Sequence, residues 1–540
     1  MIDSAYLVAN GDQRLSANQT CWPAQQEFEH LLEGAFSAHG AELIRAHPAD
    51  TPVGHGFISS QVEGLRVLAR IPREAPLVVA EGVWQFSQQI LGGLIRHRGP
   101  VLTVANWEGR WPGLVGLLNL NASLAKAGRA FDTLWSRAFD DEWFCTKLDL
   151  WLAGKPLDHD NAHVHDFNPG AVTDPAALAA AETIVSKLRR EGALLGVFDE
   201  GCMGMYNAII PDELLFPINV FKERLSQSAL YAETMTVPEN DARVSLDWLR
   251  AQGMTFHFGT DESTELTERQ VLLQLRMYSA IARMADRFGV DVIGTQYQLG
   301  LADVLPASDL AEGLLNNGDR PEVLGDDGRP VRAGLPVVHF NEADECAGLD
   351  ALLTHRLHLA LGQPLETTLH DVRWGDDDGS GSTDEFVWVF QISGPAPPAH
   401  HIGGYAGTDS MRQPSLYFRL GGGTVRGIAH PGELVWSRIF VEGGALHMDL
   451  GRASVMALPK EETERRWAET TPQWPIMHAV LHGVSRDQFM ARHRSNHIQV
   501  AYADDALAAD CILAAKALTA AELGMRVSLC GSRANGSSLL

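Results

Sequence analysis

Short apolar runs set between helical stretches constrain this chain more than anything else in it. Residues 77–80 read Leu-Val-Val-Ala and residues 101–105 read Val-Leu-Thr-Val-Ala, with a helical pattern over 84–96 between them. A similar run, Ala-Tyr-Leu-Val-Ala, occupies 5–9 near the start. Strands alternating with helices predict a parallel sheet covered by helices on both faces. A helix is expected to begin near Trp22-Pro23, because proline suits a first helical turn. The run at 101–105 passes into Asn106-Trp107-Glu108-Gly109-Arg110-Trp111-Pro112-Gly113 and then an apolar helix to about Ala127. Loops at the carboxyl ends of such strands bind ligands, so Trp107 is a candidate site residue there, with core packing or a subunit interface as the alternative.

The rhythm restarts after a Pro, Asp and Ala-rich passage at 168–175. A helix over 175–191, a strand over 193–198, helices near 244–253 and 265–288 and a strand over 290–293 form a second α/β unit. A Gly, Asp and Pro-rich stretch at about 316–334 reads as a surface excursion. A helix over 347–361 carries His355 and His358, read as part of a polar helical face. The texture then changes to short strands at 386–390, 415–418, 434–436, 445–448 and 454–457, separated by glycine pairs. That pattern predicts an antiparallel barrel or sandwich. A helix over 506–523 and a last strand follow. The fold class is therefore α/β: two Rossmann-like α/β domains, 1–170 and 171–346, then a C-terminal β-rich, barrel-like domain, 347–530. The Gly/Ser-rich tail 531–540 is expected to be disordered.

With 540 residues, the chain exceeds a single core. Its formal charge of -25 disfavours a nucleic-acid backbone or an anionic membrane surface as partner. The six cysteines are scattered without a C-x-x-C pair, which argues against a disulfide framework or a structural zinc site. No basic-then-apolar leader opens the sequence and no run approaches the ~18 apolar residues of a membrane span, so a cytoplasmic location is expected.

Three stretches carry chemistry. Pro306-Ala-Ser-Asp309-Leu-Ala-Glu312 puts a carboxylate on a helix. Phe340-Asn-Glu342-Ala-Asp344 puts another just past a strand that is expected over 335–340. Ser495-Asn496-His497 adds an imidazole. Two carboxylates and an imidazole can hold a divalent cation and leave positions open for substrate oxygens. Such a cation polarises a carbonyl while a carboxylate moves a proton between adjacent carbons. Residue types alone leave this open: the helix dipole suffices to explain Glu312, and Glu342 competes with Asp344. There is no P-loop, no G-x-S-x-G elbow and no G-x-G-x-x-G between a strand and a helix.

In order and spacing, Gly294, Gln296, Gln298, Asp303, Pro306, Asp309, Ala311 and Glu312 resemble the G-x-Q-x-Q…D…P-x-x-D-x-A-E pattern of the L-fucose isomerases. Asn341-Glu342-Ala343-Asp344, Asp371-Val372-Arg373, Tyr417-Phe418-Arg419, Trp474-Pro475 and Ser495-Asn496-His497 extend the likeness, and L-arabinose isomerases are more distantly similar. The resemblance implies a manganese-dependent aldose–ketose isomerase, with Glu312, Asp344 and His497 as metal ligands. It implies Glu312 and Asp344 as proton carriers through an enediol. Arg14, Trp107, Met203, Gln298, Tyr417, Trp474 and Asn496 would contact a free sugar such as L-fucose, D-arabinose or a modified hexose. It further implies a homo-oligomer, a hexamer in which the first domain of one subunit covers the site of another. Ile392 replaces an asparagine of the pattern, which bears on the choice of sugar. A metal-dependent epimerase or lyase and a non-catalytic sugar-binding relative are the alternatives.

Overall fold

The structure is a computed structural model that describes residues 1–297 and 299–540, the side chain of Cys202 apart. Five parallel strands open the chain, in spatial order Glu42–Arg45, Ser4–Val8, Leu77–Glu81, Val101–Asn106 and Asp132–Ser136. Every residue of Leu77–Glu81 is buried, which explains its unbroken apolar run. From Ser4–Val8 the chain first builds outward to Glu42–Arg45, then returns to Leu77–Glu81 on the other side. The order reverses between these two neighbours, which leaves a crevice at their carboxyl ends. The first helix, Leu15–Ala38, starts seven residues ahead of Trp22 and keeps Pro23 in its interior. The reason is its buried stripe, which begins at Ala17 and Cys21 and continues through Phe28, Leu32 and Phe36. Burial of that face outweighs the proline signal.

A second parallel sheet follows, in the order His339–Asn341, Val292–Thr295, Ala193–Phe198 and Val220–Leu225. The run at 335–340 pairs only from His339 onward. The helix Glu345–Leu361 then leaves from the end of that strand. His358, expected on a polar face, is buried, and its Nδ1 bonds to the Pro364 carbonyl at 2.6 Å.

Near the C-terminus six antiparallel strands close into a barrel: Gly432–Glu442, His497–Ala503, Thr367–Asp377, Phe386–Gln391, Met477–Leu481 and Ala445–Val455, the last pairing back to the first. Trp374, Trp388, Trp436, Ile498 and Val500 share its core. Residues 415–417 form a turn rather than a strand, because the Tyr417 and Phe418 amides both donate to the Pro414 carbonyl. Two further strands extend the rim. Arg526–Cys530 lies parallel to Ala445–Val455, and Val164–Asp166, from the passage leaving the first unit, lies antiparallel to Arg526–Cys530.

The helix Gly113–Lys126 fixes the first unit on the barrel. Its residues 113–124 are all buried, and Leu114, Leu117 and Leu118 share the barrel's core cluster. A helix apolar on every side is an interior helix. Residues 531–540 form no regular element, yet Arg533 donates to Asp510 at 2.7 Å and Leu539 is buried in the core. Among the described residues, no helix is long and apolar enough to cross a membrane.

Candidate functional site

Elements of the two parallel sheets and of the barrel meet at one pocket. Arg14 and Trp84 follow the carboxyl ends of Ser4–Val8 and Leu77–Glu81, the two strands that flank the reversal of the first sheet. Met203, Tyr297 and Glu342 follow three strands of the second sheet. Asp371 and Arg373 come from the barrel strand Thr367–Asp377, two positions apart and so on one face.

Glu312 sits on the helix Asp309–Leu315 and is buried against the pocket. The Ser308 hydroxyl donates to one of its oxygens and the Asn341 amide to the other. Burial pushes this carboxyl up to about 7 in spite of those two donors. His339, 3.8 Å from the same carboxylate, is itself pushed down to about 3 by burial and is neutral. The donors hold Glu312 in place while its environment leaves it able to take or give a proton near neutral pH.

Glu342 enters from a tight turn. Backbone φ is +57° at Glu342 and +48° at Ala343, a left-handed pair that side-chain-bearing residues seldom adopt. The turn stands between the last strand of the sheet and the helix capped by Asp344.

Asp344 has no exposure at all. Its carboxylate caps that helix, accepting from the Ala347 amide at 3.0 Å. Arg438 donates to both of its oxygens, at 2.7 and 3.1 Å, and His497 Nδ1 donates to Oδ2 at 2.7 Å. Burial alone would raise this carboxyl, but the Arg438 and His497 charges outweigh it and hold it well below the ordinary carboxylate range. Asp344 does not line the pocket.

The contact with Asp344 turns the other edge of the His497 ring outward. Nε2 is buried and has no hydrogen-bond partner among the described residues, and it lies 3.5 Å from both Glu342 Oε2 and Asp371 Oδ1. Burial opposes protonation of His497, yet Asp344 and Glu342 raise it to about 10. Asp371 is pushed up to about 7 by burial, with Glu342 adding to the effect and His497 opposing it.

Among the described residues, no three His, Cys, Asp or Glu side chains are gathered as a ready-made metal site. One imidazole nitrogen and two carboxylates nevertheless face one another here, and the imidazole is backed by a third carboxylate on Nδ1. That donor set fits a divalent cation, and the Asp344–His497 pair has the form by which a carboxylate orients a ligating histidine. His497, Glu342 and Asp371 are the residues that would hold it.

Of the expected substrate-contacting residues, Arg14, Met203, Tyr417 and Trp474 line the pocket. Trp474 is fixed by its indole, which donates to Gln413 at 2.7 Å. Asn496 lies behind Asp371 and helps to hold that carboxylate down, while its amide donates to Met205 Sδ at 3.2 Å. Gln298 lies outside the described residues. Trp107 is elsewhere: its indole donates to the Gly375 carbonyl at 2.9 Å, and its ring packs against Phe386 and Trp388. The tryptophan of the first unit that does reach the pocket is Trp84.

Three further residues carry weight that the sequence did not reveal. Asp371 stood inside a matched motif without a role, and Arg373 beside it was expected only as one of three arginines, with Arg14 and Arg110, able to reach an anionic substituent or to serve as a salt-bridge partner. Their signal was register, since Asp371 pairs directly with His497 across two barrel strands. Arg438 gave one faint sign, a lone charge inside Leu434-Val-Trp-Ser-Arg438-Ile-Phe, where burial demands a partner. No protein-family model matches the chain, and no curated protein matches it.

Proposed function

We propose that this pocket binds a free aldose and interconverts it with its ketose by moving a proton between two adjacent carbons. One observation carries the reading: the unpartnered Nε2 of buried His497 lies 3.5 Å from both Glu342 and Asp371, two acids that line the pocket together with Glu312. Isomerisation of this kind needs a proton carrier on the carbons and charge stabilisation on the oxygens. Glu312, held by Ser308 and Asn341, takes the proton from C2 of the aldose and returns it to C1. Asp371 relays the hydroxyl proton between the two oxygens. A divalent cation such as manganese, when bound by His497, Glu342 and Asp371, would polarise the substrate carbonyl. Asp344 keeps the His497 ring turned so that Nε2 points toward Glu342 and Asp371, the orientation in which it could serve as a ligand once deprotonated. Trp84, Tyr417 and Trp474 offer apolar faces to the carbon skeleton of the sugar. On this reading the two parallel-sheet units and the barrel correspond to the three domains of an L-fucose isomerase-like enzyme, with Asp371 and Glu342 doing what the sequence pattern assigned to Asp344.

The test is ketose formation from a panel of free aldoses, with the protein stripped by chelator and then reloaded with manganese. Turnover of one or more sugars that vanishes on stripping and returns on reloading is expected. Failure to convert any aldose after reloading, with no manganese retained by the protein, overturns the proposal.

A further inference from the structure

Two loops of the second sheet border the pocket through left-handed backbone, and one buried cation joins them. Asp199 and Met203 have φ of +61° and +40° in the loop after Ala193–Phe198. Glu342 and Ala343 repeat the pattern after His339–Asn341. Such backbone persists only where its surroundings hold it. Met203 and Glu342 both line the pocket.

The cation is Lys222, on the edge strand Val220–Leu225 of the same sheet. Although the strand lies at the edge, the lysine side chain is only 1% exposed. Its ammonium lies 2.6 Å from Glu345 Oε2 and 2.6 Å from Glu200 Oε1. Glu345 is equally buried and directly follows Asp344, at the start of the helix Glu345–Leu361. Glu200 is three residues ahead of Met203. Glu345 Oε2 also accepts from the Ile210 amide at 2.7 Å. Both ends of the stretch from Glu200 to Ile210 are thus held by one buried pair, and Met203 lies between them. Burial opposes the charge on Lys222, yet Glu345 and Glu200 outweigh it and keep the ammonium protonated. Arg224 also reaches Glu200, at 3.0 Å, but it is half exposed. Among the described residues, Lys222 is the one cation paired with Glu345.

We infer that Lys222 is a positioning residue of this site: by joining Glu200 to Glu345 it seats the stretch from Glu200 to Ile210, and with it Met203, against the helix that Asp344 caps. A lysine suits the task, because its compact ammonium offers three donors that turn toward carboxylates from different elements. The inference rests on the isomerase reading for the ligand that Met203 meets, but not for the seating itself. Removing Lys222 alone would leave Glu345 as a buried, uncompensated charge and so strain the whole fold.

Two variants of the full-length protein test the seating without creating that charge. Lys222→Met combined with Glu345→Gln removes both charges, and the glutamine can still accept from Ile210. Glu200→Ala cuts only the loop side, at a carboxylate that is 35% exposed. Hydrogen exchange is read at the amides of Asn207, Ala208 and Ile210, each of them hydrogen-bonded. In both variants these amides should exchange at least about tenfold faster, while the helix Glu345–Leu361 keeps its protection and the unfolding midpoint holds. KM for the converted sugar should rise with kcat little changed, a split that a merely stabilising lysine would not give. Unchanged exchange at the three amides in either variant overturns the inference. So does a uniform rise across the second sheet with a lowered midpoint, which would make Lys222 a strut of the fold alone. Absence of ketose formation by the unmutated protein would count against the isomerase reading only, because exchange reports the seating without any substrate.

Discussion

Arg438 closes on Asp344 with both terminal nitrogens of its guanidinium, and both residues are buried to within 1% of full enclosure. The pair fixes the acid that in turn fixes His497. Removing one member therefore leaves an uncompensated charge in the interior. Arg438→Met is expected to lower unfolding stability by about 3–5 kcal/mol. It should also weaken divalent-cation uptake, because His497 loses its rigid backing. Urea unfolding followed by tryptophan fluorescence measures the first effect. An unchanged unfolding midpoint would show that Asp344 is satisfied without Arg438.

The carboxylates divide into two kinds of variant. Glu312→Gln should cut kcat by about 10²- to 10⁴-fold, the usual range for a lost proton carrier, while the retained cation and KM change little. Glu342→Gln should act the other way, reducing cation retention first and turnover in consequence. Asp344→Asn is expected to weaken the cation by about 10- to 100-fold through the orientation of His497. Manganese titrations monitored by electron paramagnetic resonance separate the three. Equal cation loss in Glu312→Gln and Glu342→Gln would make Glu312 a ligand rather than a proton carrier.

Gly294 faces the Phe340 ring so closely that an added Cβ would fall 2.1 Å from it. Gly294→Ala should cost about 1–3 kcal/mol through overpacking. The displaced ring lies next to Asn341, which donates to Glu312, so turnover should fall along with the melting temperature. A melting temperature within a degree of the unmutated protein would show that Phe340 has room to move.

Acid should destabilise the fold through its histidines. Burial holds His370, His400, His401, His478 and His493 down at about 3 each. In the unfolded chain they take up protons near pH 6.5, so between roughly pH 6.5 and 3 the unfolded state binds more protons. Stability is thus present above pH 6.5 and falls as the pH drops, by up to about 1.4 kcal/mol per unit for each such histidine. His497 runs the opposite way. Its stabilising share is complete below its unfolded value and is lost as the pH rises toward about 10, so it adds no slope in the acid range. Glu312 and Asp371, pushed up to about 7, work against the histidines between about pH 7 and their unfolded values near 4, where the folded chain is the one that binds the protons. Thermal melts at intervals from pH 3.5 to 7.5 should therefore show the fall steepen below about pH 4.5, and a flat profile there would contradict the burial of this set.

Much of the scaffold was legible because it follows from local pattern. The helix Pro175–Glu191 and the strand Ala193–Phe198 fall where capping, periodicity and apolar runs put them. Glu312 and His497 were legible as candidates through ordered motifs; Glu312 lines the pocket, and buried His497 lies 3.5 Å from two acids that line it. The rest depended on long-range geometry. Whether Glu342 or Asp344 faces the pocket is set by the left-handed turn at Glu342 and Ala343 and by Arg438, which lies on a strand almost a hundred residues away. Trp84 and Trp107 both follow strands of the first sheet. Only the docking of the helix Gly113–Lys126 on the barrel decides which of the two becomes core. Asp371 shows its role only when its strand is paired with that of His497.

The strand Val164–Asp166 leaves the first unit, yet among the described residues its only ladder is with Arg526–Cys530, far along the chain. During synthesis the first sheet can assemble on its own loops, but its anchor on the barrel has no template until residues 526–530 have been made. Until the barrel strands have followed, the apolar helix Gly113–Lys126 waits without the surface it covers. Such late, distant pairing slows folding and exposes the intermediate to aggregation. Loss of Arg526–Cys530, which bridges Ala445–Val455 and Val164–Asp166, should impair the yield of folded protein far more than its five residues suggest.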